Sequence, residues 1–264
     1  MTYAIDYGTG PAVLMLHGIG GSSDSFASQV AGLGDSLRVI AWDAPGYARS
    51  EDPSRELDLD DYADAAAELI RDKCADAGAH VLGMSWGGVI ATRLALRHPE
   101  LVRSLVLGAS TVGSGTDADS AAAMRSRIAD LGRSGPGDFA VRRAPRLLSP
   151  NASDDLVQRA TGIMSDAVRL PGYGYAAESM AATDHTDDLE KIDVPTLVIC
   201  GDADTVTGTP ASQVLAGGIP GAVYVTLRGA GHLANQEQPD AFNAWTESFV
   251  QITERLRIHS TVPH

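Results

Sequence analysis

Cysteine is nearly missing from this chain: Cys74 and Cys200 are the two in 264 residues. Two thiols cannot form the bridged framework that staples a small secreted domain. Cys200 closes an apolar run, where a buried thiol acts as a small hydrophobe. Excess positive charge is missing too. Against 34 acidic residues stand 20 lysines and arginines, a formal net charge of −14. That balance argues against nucleic acid and anionic membranes as partners and is silent about fold. No apolar run approaches the roughly 20 residues that span a bilayer. The start, Met1-Thr-Tyr-Ala-Ile-Asp, lacks a basic region, and its first apolar run, Ala12–Leu16, is too short for a signal peptide. Metal signatures are missing as well. The seven histidines are scattered, with no H-E-x-x-H and no paired-cysteine spacing. No dinucleotide G-x-G-x-x-G follows the first strand, and no P-loop lysine follows Gly18-Ile-Gly20-Gly21. We therefore expect a cytoplasmic protein without metal or cofactor, acting on a small molecule, as a monomer or homodimer.

What the chain does contain is alternation. Short continuous apolar runs stand at Ala12–Leu16, Leu37–Trp42, Ala79–Leu82, Ser104–Leu107, Thr196–Cys200 and Ala222–Leu227. Unbroken runs of this length suit strands covered on both faces. Helical patterns lie between them, near 24–33, 59–77, 86–98, 210–217 and 237–257. Strand–helix alternation predicts an α/β fold, a mostly parallel sheet with helices on both faces. Tyr3–Tyr7 adds an antiparallel edge strand. From 112 to 186 the alternation stops. This interval predicts helical pieces punctuated at Gly132, Gly135-Pro136-Gly137, Pro145, Pro150 and Pro171-Gly172-Tyr173-Gly174. We read it as a helical cap inserted into a core of residues 1–111 and 187–264. The tail after Leu256 is expected to fray.

The motif richest in chemistry is Gly83-Met84-Ser85-Trp86-Gly87, set between an apolar run and a helical stretch. A G-x-S-x-G turn from strand to helix forces its serine into a strained conformation, with glycines letting neighbouring chain pass close. The hydroxyl then stands above a helix N-terminus, which favours negative charge. A serine needs a base, and the base an orienting carboxylate. Asp202 and Asp204 follow the run ending at Cys200. His232 follows the last run behind Gly229 and Gly231, whose freedom lets the loop deliver an imidazole. The other histidines lack such a setting: His98 ends a helix, His80 opens a strand, His259 and His264 lie in the tail, and His185 sits at the junction of the cap and core.

Together with His17-Gly18-Ile19, Asp43-Ala-Pro-Gly46-Tyr-Ala48-Arg-Ser50 and Arg97-His-Pro-Glu-Leu-Val-Arg103, these motifs resemble the α/β-hydrolase superfamily across nearly the whole chain. The resemblance implies the order serine, acid, histidine, and its Gly-x-x-Asp spacing selects Asp204, with Asp202 capping the following turn. It makes Ser85, Asp204 and His232 the catalytic set and the amides of Ile19 and Trp86 the oxyanion hole, with His17 pinning the loop. The serine excludes the branches that carry aspartate there. The chain departs from the pattern at Ala48, where the loop usually has glycine, at the bulky Trp86, and in a short N-terminus that lacks an edge strand.

Compact size and a cap resemble the esterase, enol-lactonase and carbon–carbon-bond hydrolase branch. A serine hydrolase of small carboxylic esters or lactones is the expected function. The same triad also serves cleavage of vinylogous diketones, and the scaffold also carries ligand-sensing and non-hydrolytic biosynthetic proteins. Gly18, Phe139, Arg142, Met164 and Tyr173 are the candidate substrate contacts, with Met124, Tyr175 and Met180 as further apolar candidates. Arg142, Arg143 and Arg146 form either a solvated face or a source of one inward guanidinium for a substrate carboxylate.

Overall fold

Strands buried on both faces need helices on both sides, and that is how the chain folds. The structure, a computed structural model, describes residues 1–260. Its seven strands are β1 (Ala4–Tyr7), β2 (Ala12–Leu16), β3 (Arg38–Trp42), β4 (Ala79–Met84), β5 (Val102–Gly108), β6 (Thr196–Gly201) and β7 (Val223–Leu227). They form one sheet in the order β1-β3-β2-β4-β5-β6-β7. β1 pairs antiparallel with β3, Ile5 opposite Ala41, and the other pairings are parallel. One strand, not two, precedes β2 among the described residues.

Alternation within each strand divides the core. Leu14, Leu16, Ile40, Trp42 and Val81 join the apolar cluster on one face. Val13, Met15, Val39, Ala41 and Leu82 join the cluster on the other. The first face is covered by α2 (Leu59–Cys74) and α3 (Trp86–Arg97). The second is covered by α1 (Ala27–Leu33) and by α9 (Pro239–Ser260), which follows the one-turn α8 (Ala234–Glu237). α7 (Gly208–Gly218) links β6 to β7. The sequence reads one helix over 237–257. The chain instead breaks at Gln238 and restarts with Pro239, which needs no amide partner in a first turn. The expected fraying after Leu256 is not seen to Ser260, because α9 continues there; residues 261–264, with His264, lie outside the described residues.

Between 112 and 186 no described residue is in a strand. Three helices stand there: α4 (Ala118–Arg143), α5 (Asp154–Ala167) and α6 (Gly172–Ala181). α4 runs through Gly132 without a break and kinks at Gly135, whose φ of 73° a side chain would resist. Their apolar residues, Met124, Phe139, Met164 and Tyr173 among them, are continuous with the first core cluster.

The chain leaves β2 toward one edge and continues from β4 toward the other. The carboxyl ends of β2 and β4 therefore flank the switch point of the sheet, where open α/β folds form their clefts. Three histidines, His17, His80 and His185, are fully buried. Burial lowers the pKa of all three, that of His17 and His185 to about 4. The unfolded chain, with histidine near 6.5, binds more protons between about pH 6.5 and 4. Stability is thus complete above pH 6.5 and falls as pH drops through that window, by up to about 1.4 kcal/mol per pH unit for each histidine. Urea unfolding across this range should show that loss, with a shallower slope for His185→Gln. Equal slopes in parent and variant would contradict the assignment.

Candidate active site

From Gly78 to Thr92 every residue is buried except Ser85, which is half-exposed. Its backbone adopts φ 52°, ψ −115°, outside the ordinary regions for a side-chain-bearing residue. Close packing holds it there. A Cβ on Gly83 would lie 2.2 Å from Gly87 O, and one on Gly87 only 2.0 Å from Leu16 O. The Ser85 amide donates to Gly108 O (2.8 Å), while its carbonyl accepts from the amide of Gly88 (2.9 Å) and the hydroxyl of Ser110 (2.9 Å). The turn is thereby clamped between β2 and β5.

The loop after β2 meets this turn. The ideal Cβ position of Gly18 lies 3.9 Å from Ser85 Oγ. His17 Nε2 accepts from the Ala44 amide (3.0 Å), so its proton is on Nδ1, which donates to Gly18 O (2.8 Å). His17 is a pin, kept neutral by burial. The amides of Ile19 and Trp86 donate to no other group among the described residues. Tyr47 OH donates to Ile19 O (3.0 Å), bracing the same loop from the 43–50 segment. That segment is organised by buried Asp43, which accepts from Ser23 N (2.7 Å), Ser23 Oγ (2.7 Å) and Arg49 Nε (2.8 Å). Burial pushes the Asp43 carboxyl up, but the Arg49 and Ser23 hydrogen bonds outweigh it and the net shift is downward. Ala48 keeps the glycine-like turn at φ 40°. Its backbone is fixed by bonds to Ala167 O (3.0 Å) and Arg169 Nη1 (3.0 Å).

His232 Nδ1 donates to Asp204 Oδ2 at 2.9 Å, both side chains buried. This leaves Nε2 as the basic nitrogen, a tautomer assigned from the carboxylate. Asp204 also accepts from the Val206 amide (2.7 Å) and the Thr207 hydroxyl (2.9 Å). Burial would raise its pKa, yet the His232 hydrogen bond and charge, with these donors, bring it to about 2. Asp202 does not cap the turn that follows it. Its Oδ1 accepts from the Gly229 amide (2.6 Å) and so ties the acid loop to the histidine loop. Glu237 ties that loop to the 112–186 interval: Oε1 accepts from Gly231 N (2.7 Å) and Oε2 from Ser149 N (2.9 Å). Thr207 and Glu237 escaped the sequence reading, since neither belongs to a motif. His185 does not reach the site; its Nε2 donates to Val89 O (3.2 Å) inside the core.

Ser85 and His232 open into one cavity of about 300 Å³, also lined by Gly18, Ile19 and Trp86. Of the candidate substrate contacts, Phe139, Met164 and Tyr173 line it, as do Met124 and Met180. Arg142 does not: it is half-exposed and donates to Asp130 (2.9 Å). The neighbouring Arg143 lines the cavity instead, since consecutive helical residues point about 100° apart. Tyr175 is absent from the lining. The Trp86 ring is fully buried rather than projecting, edge-on to Tyr62 (4.8 Å) and donating to Ser179 Oγ of α6 (3.2 Å).

Known proteins agree with this architecture. A 3-oxoadipate enol-lactonase from Acinetobacter baylyi is 27% identical over 243 residues, which is 91% of this chain and 89% of that protein. A pimeloyl-[acyl-carrier protein] methyl ester esterase from Neisseria meningitidis is 30% identical over 250 residues, 90% and 93% of the two chains. Among solved structures, a thermophilic esterase from Thermogutta terrifontis superposes with a TM-score of 0.87 at 26% identity, covering 96% of this chain and 93% of that one. No helix among the described residues is long and apolar enough to cross a membrane. The sequence model of the alpha/beta hydrolase fold matches residues 11–239, and with the sheet order and strand-end loops described above it makes this chain a member of the alpha/beta hydrolase family.

Proposed function

We propose that the chain is a serine hydrolase of small carboxylic esters or lactones, working through an acyl-enzyme. The observation that carries this reading is the shared cavity. One strained, half-exposed serine lines it, and so does an imidazole already oriented by a buried carboxylate. The relatives support the bond type, since their names are those of an enol-lactonase and a methyl ester esterase. In the same reading residues 112–186 are the cap, and 1–111 with 187–264 the core.

Ser85 Oγ attacks the carbonyl carbon while its proton passes to His232 Nε2. The carbonyl oxygen becomes an oxyanion and accepts from the unengaged amides of Ile19 and Trp86, at the positively polarised end of α3. Collapse breaks the ester C–O bond, and the leaving alkoxide takes the proton from Nε2. Water then gives a proton to Nε2 and attacks the acyl carbon, and Ser85 leaves with that proton. Asp204 holds Nδ1–H throughout and stabilises the transient imidazolium. Its low pKa keeps it ionised through the neutral range.

Ser85→Ala should lower kcat/KM for a p-nitrophenyl ester by about 10⁴ or more and abolish covalent labelling by a fluorophosphonate. Full turnover by this variant, or labelling elsewhere, would end the reading. Thr207 acts through Asp204 as a positioning residue. Thr207→Val should lower kcat roughly tenfold with KM little changed, and Thr207→Ser should restore it. A loss confined to KM would refute that role.

A further inference from the structure

Among the described residues no acidic side chain lines this cavity, in a protein with 34 of them. The permanently charged residues in that lining are two arginines, Arg127 and Arg143. Neither takes part in an ion pair among the described residues, whereas Arg125 pairs with Glu178 and Arg142 with Asp130 on the outer side of the same helix. Both lie on α4, sixteen residues apart in sequence. On a straight helix that separation would be about 24 Å. The backbone leaves helical geometry at Gly135, and the two halves approach each other, with Arg142 of the second reaching Asp130 of the first (2.9 Å). As a result Arg127 bears electrostatically on Arg143, and both bear on the hydroxyl of buried Tyr173.

Two like charges brought together against an apolar wall cost free energy unless an anion joins them. The Arg143 guanidinium lies 5.4 Å from the centre of the Phe139 ring, which stacks edge-on against Tyr173 (5.3 Å). Burial and the neighbouring Arg127 both lower the Arg143 pKa. Asp130 offsets this only in part, because its carboxylate is engaged by Arg142 (2.9 Å) and, among the described residues, no carboxylate forms an ion pair with Arg127 or Arg143; the net charge of −14 would repel an anion elsewhere on the surface. Met124, Met164 and Met180 fill the lining with flexible apolar surface.

We propose that Arg127 and Arg143 form an anion subsite for a carboxylate of the substrate, so that the preferred substrates are monoesters or lactones bearing a second, ionised carboxyl group. A planar carboxylate matches the guanidinium fork and fits a cavity of about 300 Å³ lined by methionines. The turnover arm of the test rests on the serine-hydrolase reading; the binding arm does not. For turnover, monomethyl and dimethyl esters of short linear dicarboxylic acids are compared at constant ionic strength. The parent protein should favour the monoester at least about tenfold in kcat/KM, since a charge-assisted pair is lost in the diester. Arg127→Gln and Arg143→Gln should each cut that preference by roughly tenfold, and Arg142→Gln should leave it in place. A parent preference at or below one, or a preference intact in both inward variants, overturns the proposal.

For binding, Ser85→Ala is titrated with adipate and with inorganic phosphate by calorimetry. Saturable binding of adipate, weakened in the two arginine variants, is the expected result. Absence of adipate binding, or tighter binding of phosphate, overturns the carboxylate assignment. If no ester is turned over yet adipate binds through the arginines, the hydrolase reading has failed and the subsite stands. If an arginine variant fails to fold, Arg143→Lys serves, because it keeps the charge and loses the fork. The substrate comparison in the parent protein needs no variant.

Discussion

Two backbones in contact set everything else in this molecule. Where α3 begins, Gly87 lies against the last carbonyl of β2, too close for even a methyl group. That contact fixes how far the strand–helix turn can rise, and with it the height at which the Ser85 hydroxyl emerges. It also fixes the loop after β2, because Leu16 leads directly into His17 and Gly18. The Ser85 hydroxyl and the loop of Gly18 and Ile19 are thus positioned by one steric limit rather than by two independent loops. The strained φ of Ser85 is stable because its amide and carbonyl are both held by β5 and the chain just beyond it.

The fold was readable because doubly covered strands leave a blunt signature. The six apolar runs fall within two residues of the observed strands, and the segments that carry Gly18, Ser85, Asp204 and His232 all follow strand ends. Asp204 was separable from Asp202 only through the family spacing; the residues themselves offer two similar carboxylates. The geometry distinguishes them by what each faces, an imidazole for one and a neighbouring loop amide for the other. Ala48 shows how a motif can lose its glycine and keep its path, because bonds from Ala167 and Arg169 hold the turn.

What the sequence hid lies mostly in the interval from 112 to 186. Its helices carry no motif, and their facing depends on a kink whose angle composition cannot give. Choosing among Arg142, Arg143 and Arg146 required knowing which side of the helix meets the core. Adjacent positions there have opposite fates, one in a surface ion pair and one in the cavity wall. Thr207 and Glu237 were invisible for a related reason. Each works by a single hydrogen-bonding atom, or a pair of them, supplied across a gap that only the folded chain closes.

Glu237 carries a mechanical consequence. Its two carboxylate oxygens are spent on two masters, the glycine turn that presents His232 and the start of the Ser149 segment above it. A hydrogen bond tolerates only a few tenths of an ångström of stretch. Any lifting of that upper segment must therefore either bare one oxygen or tug on the turn beneath the imidazole. Moving that segment and holding the His232 turn in register are, in this chain, competing demands on the same side chain.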